Sequence, residues 1–394
     1  MNIVHIVPSA PYNDYWGYQD NLLPKYQLKL GHSVTVLTTT QLHKDGGIAE
    51  TEPADYRLND GERIIRLRQR QYPHPALTRL FTKLDVYPLL RELRPDFIFF
   101  HGLISRTILD VVRYVRNDNP ACVVVQDNHL DYNIGSHSTG LKLLLSRGYY
   151  RMLNRRSIPW VSRVYGVTPW RKTYAEDYFQ IPPEKTDVLI MGADDEKIDF
   201  AHREQIRAGI RKQYGFADGD FVLVTGGKID ANKRITLLMK ACQGMKGVKL
   251  LIFGNVQQDV KAEFDALLAA SDNIVYIGWI DSDKVYDYFF AADLVCFPGQ
   301  HSVLWEQACA SKVPCVFEKW EGMDHVDNGG NSDFVSPVTV ETLREKVEAL
   351  RFTERYEQMK QAALSEKTDV YLYSRIAEKS LECAKGQANA EKAD

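Results

Sequence analysis

Short, nearly unbroken apolar runs alternate along this chain with longer stretches in which apolar residues recur every three or four positions. In the first half the runs at 3–7, 33–38, 63–67, 97–100, 123–126 and 163–167 predict strands, and the stretches at 20–30, 85–93, 104–115 and 140–153 predict helices between several of them. Strands that are apolar throughout are buried on both faces, so the pattern predicts a parallel sheet covered by helices on both sides. The alternation starts again at 221, with strands at 221–225, 249–253, 274–277, 294–297 and 314–317 and helices at 235–242, 260–270, 282–291 and 303–310. The two halves meet near residue 195, where a proline-containing turn, an apolar run ending in Gly192-Ala-Asp-Asp195 and a charged helical stretch at 197–214 follow one another. Past 335 the chain reads as polar helices at 341–350, 354–366 and 370–385, ending in a tail from Gly386 that is expected to fray. The expected organisation is α/β, with domains at 1–194 and 195–370 and a terminal segment at 371–394.

Composition changes this picture little. At 394 residues, 44% apolar and 26% charged, the chain suits two cores of about 150–200 residues each. A formal net charge of −3 gives no global pull towards nucleic acid, and no nucleic-acid partner is expected. The six cysteines lie in apolar or helical contexts with no C-x-x-C pair, which predicts free thiols in a reducing compartment. The first residues read as a strand rather than a signal peptide, and no apolar run reaches the roughly 20 residues of a membrane span. A cytoplasmic protein is expected. Between Lys142 and Lys172, Arg and Lys interleave with Leu, Tyr and Trp, a mixture that suits an anionic membrane face as well as a solvated helix.

In parallel sheets ligands bind beyond the carboxyl ends of the strands, so the loops there carry the candidate chemistry. Pro298 to Val303 joins a strand to a helix and can turn backbone amides and the positive helix end towards an anion. Glu306, further into that helix, is placed to reach sugar hydroxyls beside it. Phosphate in the loop and a diol on the glutamate describe a nucleotide sugar. Gly226-Gly-Lys-Ile-Asp-Ala-Asn-Lys-Arg234 follows the first strand of the second half, and Lys228 and Lys233 can place two cations on one diphosphate while Gly227 opens the backbone. It is neither a Walker A loop nor a dinucleotide fingerprint. Phe253-Gly254-Asn255 and Gly278-Trp279-Ile280 end strands that border a base slot. In the first half, Gly17 permits close backbone approach, and Tyr18, Gln19 and Asn21 offer hydrogen bonds. His101 and His129 follow buried strands, placed to exchange protons or hold sugar hydroxyls, and Asp127 is placed either to orient His129 or to cap a helix. No metal-binding spacing appears, so no metal or other cofactor is expected and the leaving diphosphate falls to the lysines and amides.

Taken in order, the glycine-containing first loop, His101, His129, Gly192-Ala-Asp194, Gly227-Lys228 with Lys233, Phe253-Gly254, Gly278-Trp279, Ala292-Asp293, Glu306-Gln-Ala and Pro314 resemble the bacterial family 4 retaining glycosyltransferases of the GT-B fold. The resemblance implies two Rossmann-like domains facing across a cleft, with the last helix, around 371–384, crossing back to the first. It implies a hexose moved from a nucleoside-diphosphate sugar to a hydroxyl of a saccharide or lipid-linked saccharide in cell-surface polysaccharide synthesis, the first domain taking the acceptor. Lys228 and Lys233 fall on the family's basic pair and Glu306 on its ribose-binding glutamate. His129 aligns with the histidine that contacts the transferred sugar, with Gln126 as the competing choice. The family's first motif glutamate would stand at 298, where this chain has Pro298; Gln300, His301 or the amides near Ser302 and Val303 are the candidate substitutes.

Overall fold

The computed structural model describes residues 1–44, 46–132 and 141–385, and the tail from Gly386 lies outside them. The chain divides into two compact units, one of Met1–Ile190 with the segment from Ile376, the other of Met191–Arg375.

The first unit is an eight-stranded sheet. Its strands are β1 (Asn2–Val7), β2 (Ser33–Thr39), β5 (Ala54–Arg57), β6 (Arg63–Leu67), β7 (Phe97–Phe100), β8 (Val123–Asn128), β9 (Arg163–Gly166) and β10 (Thr186–Val188), in the order β10-β9-β8-β7-β1-β2-β6-β5. All neighbours are parallel except β5, which runs against β6 at the edge. A separate antiparallel ribbon pairs β3 (Gln41–Lys44) with β4 (Gly47–Glu50). The core is what the apolar runs dictate: Val4, Ile6, Ile98, Phe100, Val124 and Val164 from the strands meet Leu90, Val111, Tyr174 and Phe179 from the covering helices.

The second unit has six parallel strands, β11 (Phe221–Ile229), β12 (Val248–Val256), β13 (Ile274–Tyr276), β14 (Leu294–Phe297), β15 (Cys315–Glu318) and β16 (Ser332–Val335), in the order β13-β12-β11-β14-β15-β16. Leu223, Leu250, Ile252 and Leu294 pack beneath Leu238, Met239, Phe264 and Val347, each such side chain contributing about 1.5–3 kcal/mol by leaving water. Asp293, just before β14, accepts the amide of Val222 at 2.7 Å and is paired with Arg207 and Arg211 of the helix Arg203–Gln213. That buried ion cluster fixes where β11 and β14 begin.

Two expectations need correction. The sequence predicts a loop at Gly226, Gly227 and Lys228, but β11 continues through Ile229, paired residue for residue with an equally long β12. The glycines there, and Gly254 opposite, serve that pairing rather than leaving backbone open to a ligand. A Cβ on Gly254 would stand 1.9 Å from the Gly227 carbonyl oxygen, one on Gly226 2.5 Å from Phe253, and one on Gly227 2.8 Å from Leu304. Gly254 also holds φ at +122°, where side chains are strained. Gly254→Ala is expected to cost about 3 kcal/mol through overpacking and strain together, read as a thermal midpoint roughly 6–12 °C lower in circular dichroism. A shift under about 2 °C would contradict this account of the glycine.

All six cysteines are free and five are buried. Among the described residues no helix is long and apolar enough to cross a membrane.

Candidate functional site

In the second unit β11 lies between β12 and β14, so strand order reverses at β11/β14. Open α/β sheets take ligands outside the carboxyl ends of the strands at such a point. The segments emerging there are Asp230–Arg234, after β11, and 298–303, after β14. They are pressed together: a Cβ on Gly299 would lie 2.3 Å from the Asn232 carbonyl oxygen, and the Gln300 amide donates to that oxygen at 2.9 Å. Lys233 completes the junction, its Nζ donating to the carbonyls of Gln300 at 2.5 Å and His301 at 3.1 Å.

Lys233 forms no ion pair among the described residues. Burial holds its amine down to about 8, with Asp230 opposing and Lys228 adding to the fall. A desolvated ammonium held by neutral carbonyls is a ready counter-charge for an anion. Lys228 differs. Its side chain is 63% exposed and pairs with Asp230 at 3.1 Å, so of the two expected cations only Lys233 is built into the junction. The amides of Ser302, Val303 and Leu304 donate to no protein acceptor among the described residues. The helix they open, Leu304–Ala310, spans only two turns, so the turn's amides, more than a long dipole, are the means of holding phosphate.

Glu306 departs from expectation. It sits in the helix's first turn and is fully buried, with Oε1 accepting from Nε2 of His301 and Nε2 of His325, both at 2.8 Å. Burial would raise its carboxyl, but the two histidines outweigh that and hold it at about 2. Its other oxygen, Oε2, has no partner. A carboxylate beneath two imidazoles that are themselves 5% and 7% exposed does not reach a sugar diol in this geometry. The same contact engages the His301 Nε2 expected to replace the missing acid at position 298. His325 was visible in the sequence only as one polar residue of the loop after β15. At the strand ends expected to border a base, Tyr276 donates to the Gly254 carbonyl at 2.8 Å and Trp279 is 72% exposed.

The first unit reverses strand order at β1/β7. A buried chain of hydrogen bonds crosses this point. Ser380 Oγ accepts from Gln27 Nε2 at 2.9 Å, Gln27 Oε1 lies 2.7 Å from His5 Nε2, and His5 Nδ1 lies 3.1 Å from His101 Nε2. His101 Nδ1 then bonds Asp127 Oδ2 at 2.8 Å, and His129 Nε2 reaches the same oxygen at 3.3 Å. Asp127 Oδ1 accepts the Gly102 amide at 2.8 Å. Burial lowers His5 to about 3, aided by His101. Burial would lower His101 as well, but Asp127 outweighs it and raises that ring. Asp127 stays well below the carboxylate range, because His101 and His129 outweigh its burial.

The expected acceptor contacts of His101 and Asp127 are therefore corrected. Both His101 nitrogens and both Asp127 oxygens are spent inside the protein, and Asp127 lies within β8 instead of capping a helix. His129 alone of this group is open, with a side chain 43% exposed. In the loop after β1, a Cβ on Gly17 would meet nothing within 4 Å, so packing does not require the glycine. Tyr18 is exposed, whereas Gln19 is buried with neither amide atom bonded. Sequence reasoning missed Asp20, His5 and Gln27. Asp20 shares the electrostatic environment of Asp127, His101 and His129; burial raises its carboxyl against the pull of the two histidines. Polar residues inside apolar strands were the available signal for His5.

Two parallel-sheet Rossmann-like units, each with its candidate residues at a switch point, define the GT-B class of glycosyltransferases. Solved structures of that class superpose over nearly the whole chain. They include a glycosyltransferase from Rickettsia africae ESF-5 (TM-score 0.65, 16% identity, 96% of each chain) and HepE from Anabaena in complex with UDP (0.64, 16%, 98% of this chain and 100% of that one). WaaG, a glycosyltransferase involved in lipopolysaccharide biosynthesis, also matches (0.62, 14%, 96% and 98%). Residues 23–197 match the family model for Glycosyltransferase Family 4 and residues 207–366 that for Glycosyl transferases group 1. The chain belongs to this family. No curated protein matches it by sequence.

Proposed function

We propose that this glycosyltransferase moves a hexose, with retention, from a nucleoside-diphosphate sugar to a hydroxyl of a saccharide or lipid-linked saccharide in cell-surface polysaccharide assembly. The observation that carries the reading is Lys233: a half-buried ammonium at the β11/β14 switch point, held by two carbonyls and by no ion pair among the described residues, beside a turn with open amides. HepE is described in complex with UDP and with UDP-glucose, and WaaG acts in lipopolysaccharide biosynthesis, which favours a UDP-sugar donor and a surface glycan. The second unit holds the donor, and leaving-group charge is met by Lys233, the turn amides and, from the solvent side, Lys228. Each charge-assisted contact is worth about 1.5–3 kcal/mol. Within the first unit, His129, oriented by Asp127, is the side chain open to a sugar, and the exposed Tyr18 is open to the acceptor, whereas the expected Gln19 is buried away from it.

The test is a thermal-shift panel of nucleoside diphosphates and their sugars, followed by proton NMR of the product anomer with the donor that binds. Stabilisation by a diphosphate nucleotide and an axial-to-axial outcome are expected; an inverted anomer overturns retention, and no stabilisation by any nucleotide overturns the donor reading.

Pro298 and the enclosed Glu306 favour one rival, a catalytically silent sugar-nucleotide-binding subunit. Donor hydrolysis or transfer by the purified chain alone excludes it.

Peripheral contact with the cytoplasmic membrane face belongs to the same reading, though most of the cationic stretch has internal duties. Arg151 donates to the carbonyls of Tyr178 and Asp177, Arg163 to that of Glu184, and Arg171 pairs with Asp131. Arg155 and Arg156 remain exposed with Met152 and Trp160. The chain is expected to sediment with vesicles of anionic phospholipid, and R155E/R156E to stay in the supernatant. Equal sedimentation of the two would remove this assignment.

A further inference from the structure

We infer that His301, Glu306 and His325 form a binding site for one divalent transition-metal ion. The three residues come from three segments, the turn after β14, the first turn of the following helix and the loop after β15. One ligand atom from each lies within 4.8 Å of the others, and both imidazole Nε2 atoms stand 2.8 Å from Glu306 Oε1.

Three features distinguish this cluster from a surface coincidence. All three side chains are at least nine-tenths buried, so water does not compete freely for their lone pairs. Glu306 Oε2 is buried and unpartnered, a cost of about 1–3 kcal/mol or more for a charged group that a ligand would remove. The surroundings also hold the cluster in place: Tyr371 donates to the His325 carbonyl at 2.7 Å, and Trp305 packs edge-on against His301 at 5.2 Å while stacking on Phe317 at 4.5 Å.

Two imidazoles and one carboxylate select the metal class. Zn²⁺, Co²⁺, Ni²⁺ and Fe²⁺ accept this set, whereas Mg²⁺ and Ca²⁺ require mainly oxygen ligands. Bond lengths to such an ion are about 2.0–2.2 Å, so the present N···O separations need only a small opening to admit it. Binding takes the place of each Nε2 proton that now faces Glu306; a neutral imidazole moves that proton to its own Nδ1 and a charged one releases it to solvent. The consequence is local. The ion would tie together the three segments, including His301, whose carbonyl receives the Lys233 ammonium. It would therefore stiffen the donor turn without taking over neutralisation of the diphosphate.

The experiment uses the full chain stripped of metal by chelation, with no nucleotide present, so its outcome is independent of the donor reading. Titration with Co²⁺ is expected to produce visible d–d absorption saturating at one ion per chain, displaced by Zn²⁺ and not by Mg²⁺. Glu306→Gln and His325→Gln are each expected to weaken Co²⁺ binding at least 100-fold, and Zn²⁺ to raise the thermal midpoint of the wild-type chain but not of the variants. Two results on the wild-type protein overturn the inference even if a variant fails to fold: no d–d band at millimolar Co²⁺, or a near-ultraviolet thiolate charge-transfer band, which would assign the ion to cysteine.

Discussion

Replacing Lys233 with alanine is expected to lower kcat/KM for glycosyl transfer about 10²- to 10³-fold, or about 2.7–4 kcal/mol, while the circular dichroism spectrum stays native. The size follows from burial. A surface lysine loses most of its electrostatic value to solvent, but this ammonium is desolvated and meets only carbonyls until an anion arrives. The variant also removes two hydrogen bonds that hold the 298–303 turn, so loss of activity alone would not separate charge from shape. Dependence on pH does. With the amine at about 8, the charge is present below pH 8 and lost as pH rises through it, so nucleoside-diphosphate affinity should fall above pH 8 with uptake of a proton on binding. Stability responds in the opposite sense. The unfolded lysine, near 10.5, binds more protons between pH 8 and 10.5 than the folded one, so this residue's contribution to stability improves as pH rises across that window. Calorimetric titration of wild type and Lys233→Ala from pH 7 to 10 checks both. If the variant keeps the wild-type pH slope in affinity, the charge resides elsewhere.

His129→Ala is expected to reduce kcat about 10²- to 10⁴-fold with donor affinity nearly unchanged. His129 is the exposed end of the buried chain that begins at Ser380, and its partner Asp127 remains ionised at any working pH because His101 also stabilises it. Asp127→Asn should lower kcat in the same direction, since an amide cannot accept from both rings and donate nothing in return. It should also destabilise the unit, as the buried, raised His101 loses its counter-ion. Steady-state kinetics with separate donor titration checks the pair. A loss confined to KM in His129→Ala would move this residue from the reacting centre to substrate binding.

Much of the architecture could be read from the apolar runs, because strands covered on both faces have to be apolar throughout. The runs at 63–67, 97–100 and 294–297 coincide with β6, β7 and β14, and 235–242 with the helix Ile235–Cys242. What escaped were elements held by something other than periodic apolarity. The β3–β4 ribbon has no continuous apolar run, and β16 starts with Ser332-Asp333. The helix Pro169–Phe179 was passed over although Thr168 accepts the Arg171 amide and Pro169 begins the helix, a start signal present in the sequence. At the candidate site the strand-end loops follow from the apolar runs that precede them, whereas the partners of their side chains do not. Lys233 could be singled out from a strand-end position. The enclosure of Glu306 could not, since His325 is 19 residues further on and only the return of the chain after β15 brings it near. His5 was hidden for a related reason: a histidine inside an apolar strand has no local pattern, and its bonding to His101 spans 96 residues.

Position 298 bears on any attempt to re-engineer this protein. Pro298 is buried, and Gly299 behind it is wedged against Asn232 and Lys233 with no room for a Cβ. Placing at 298 the glutamate that the family resemblance implies there would insert a carboxylate into dry surroundings already fitted around a proline ring, while Glu306 stays engaged with its histidines. On the proposed donor reading, donor preference in this chain should thus be exchangeable only as a cassette, in which 298–306 and the His325 loop travel together.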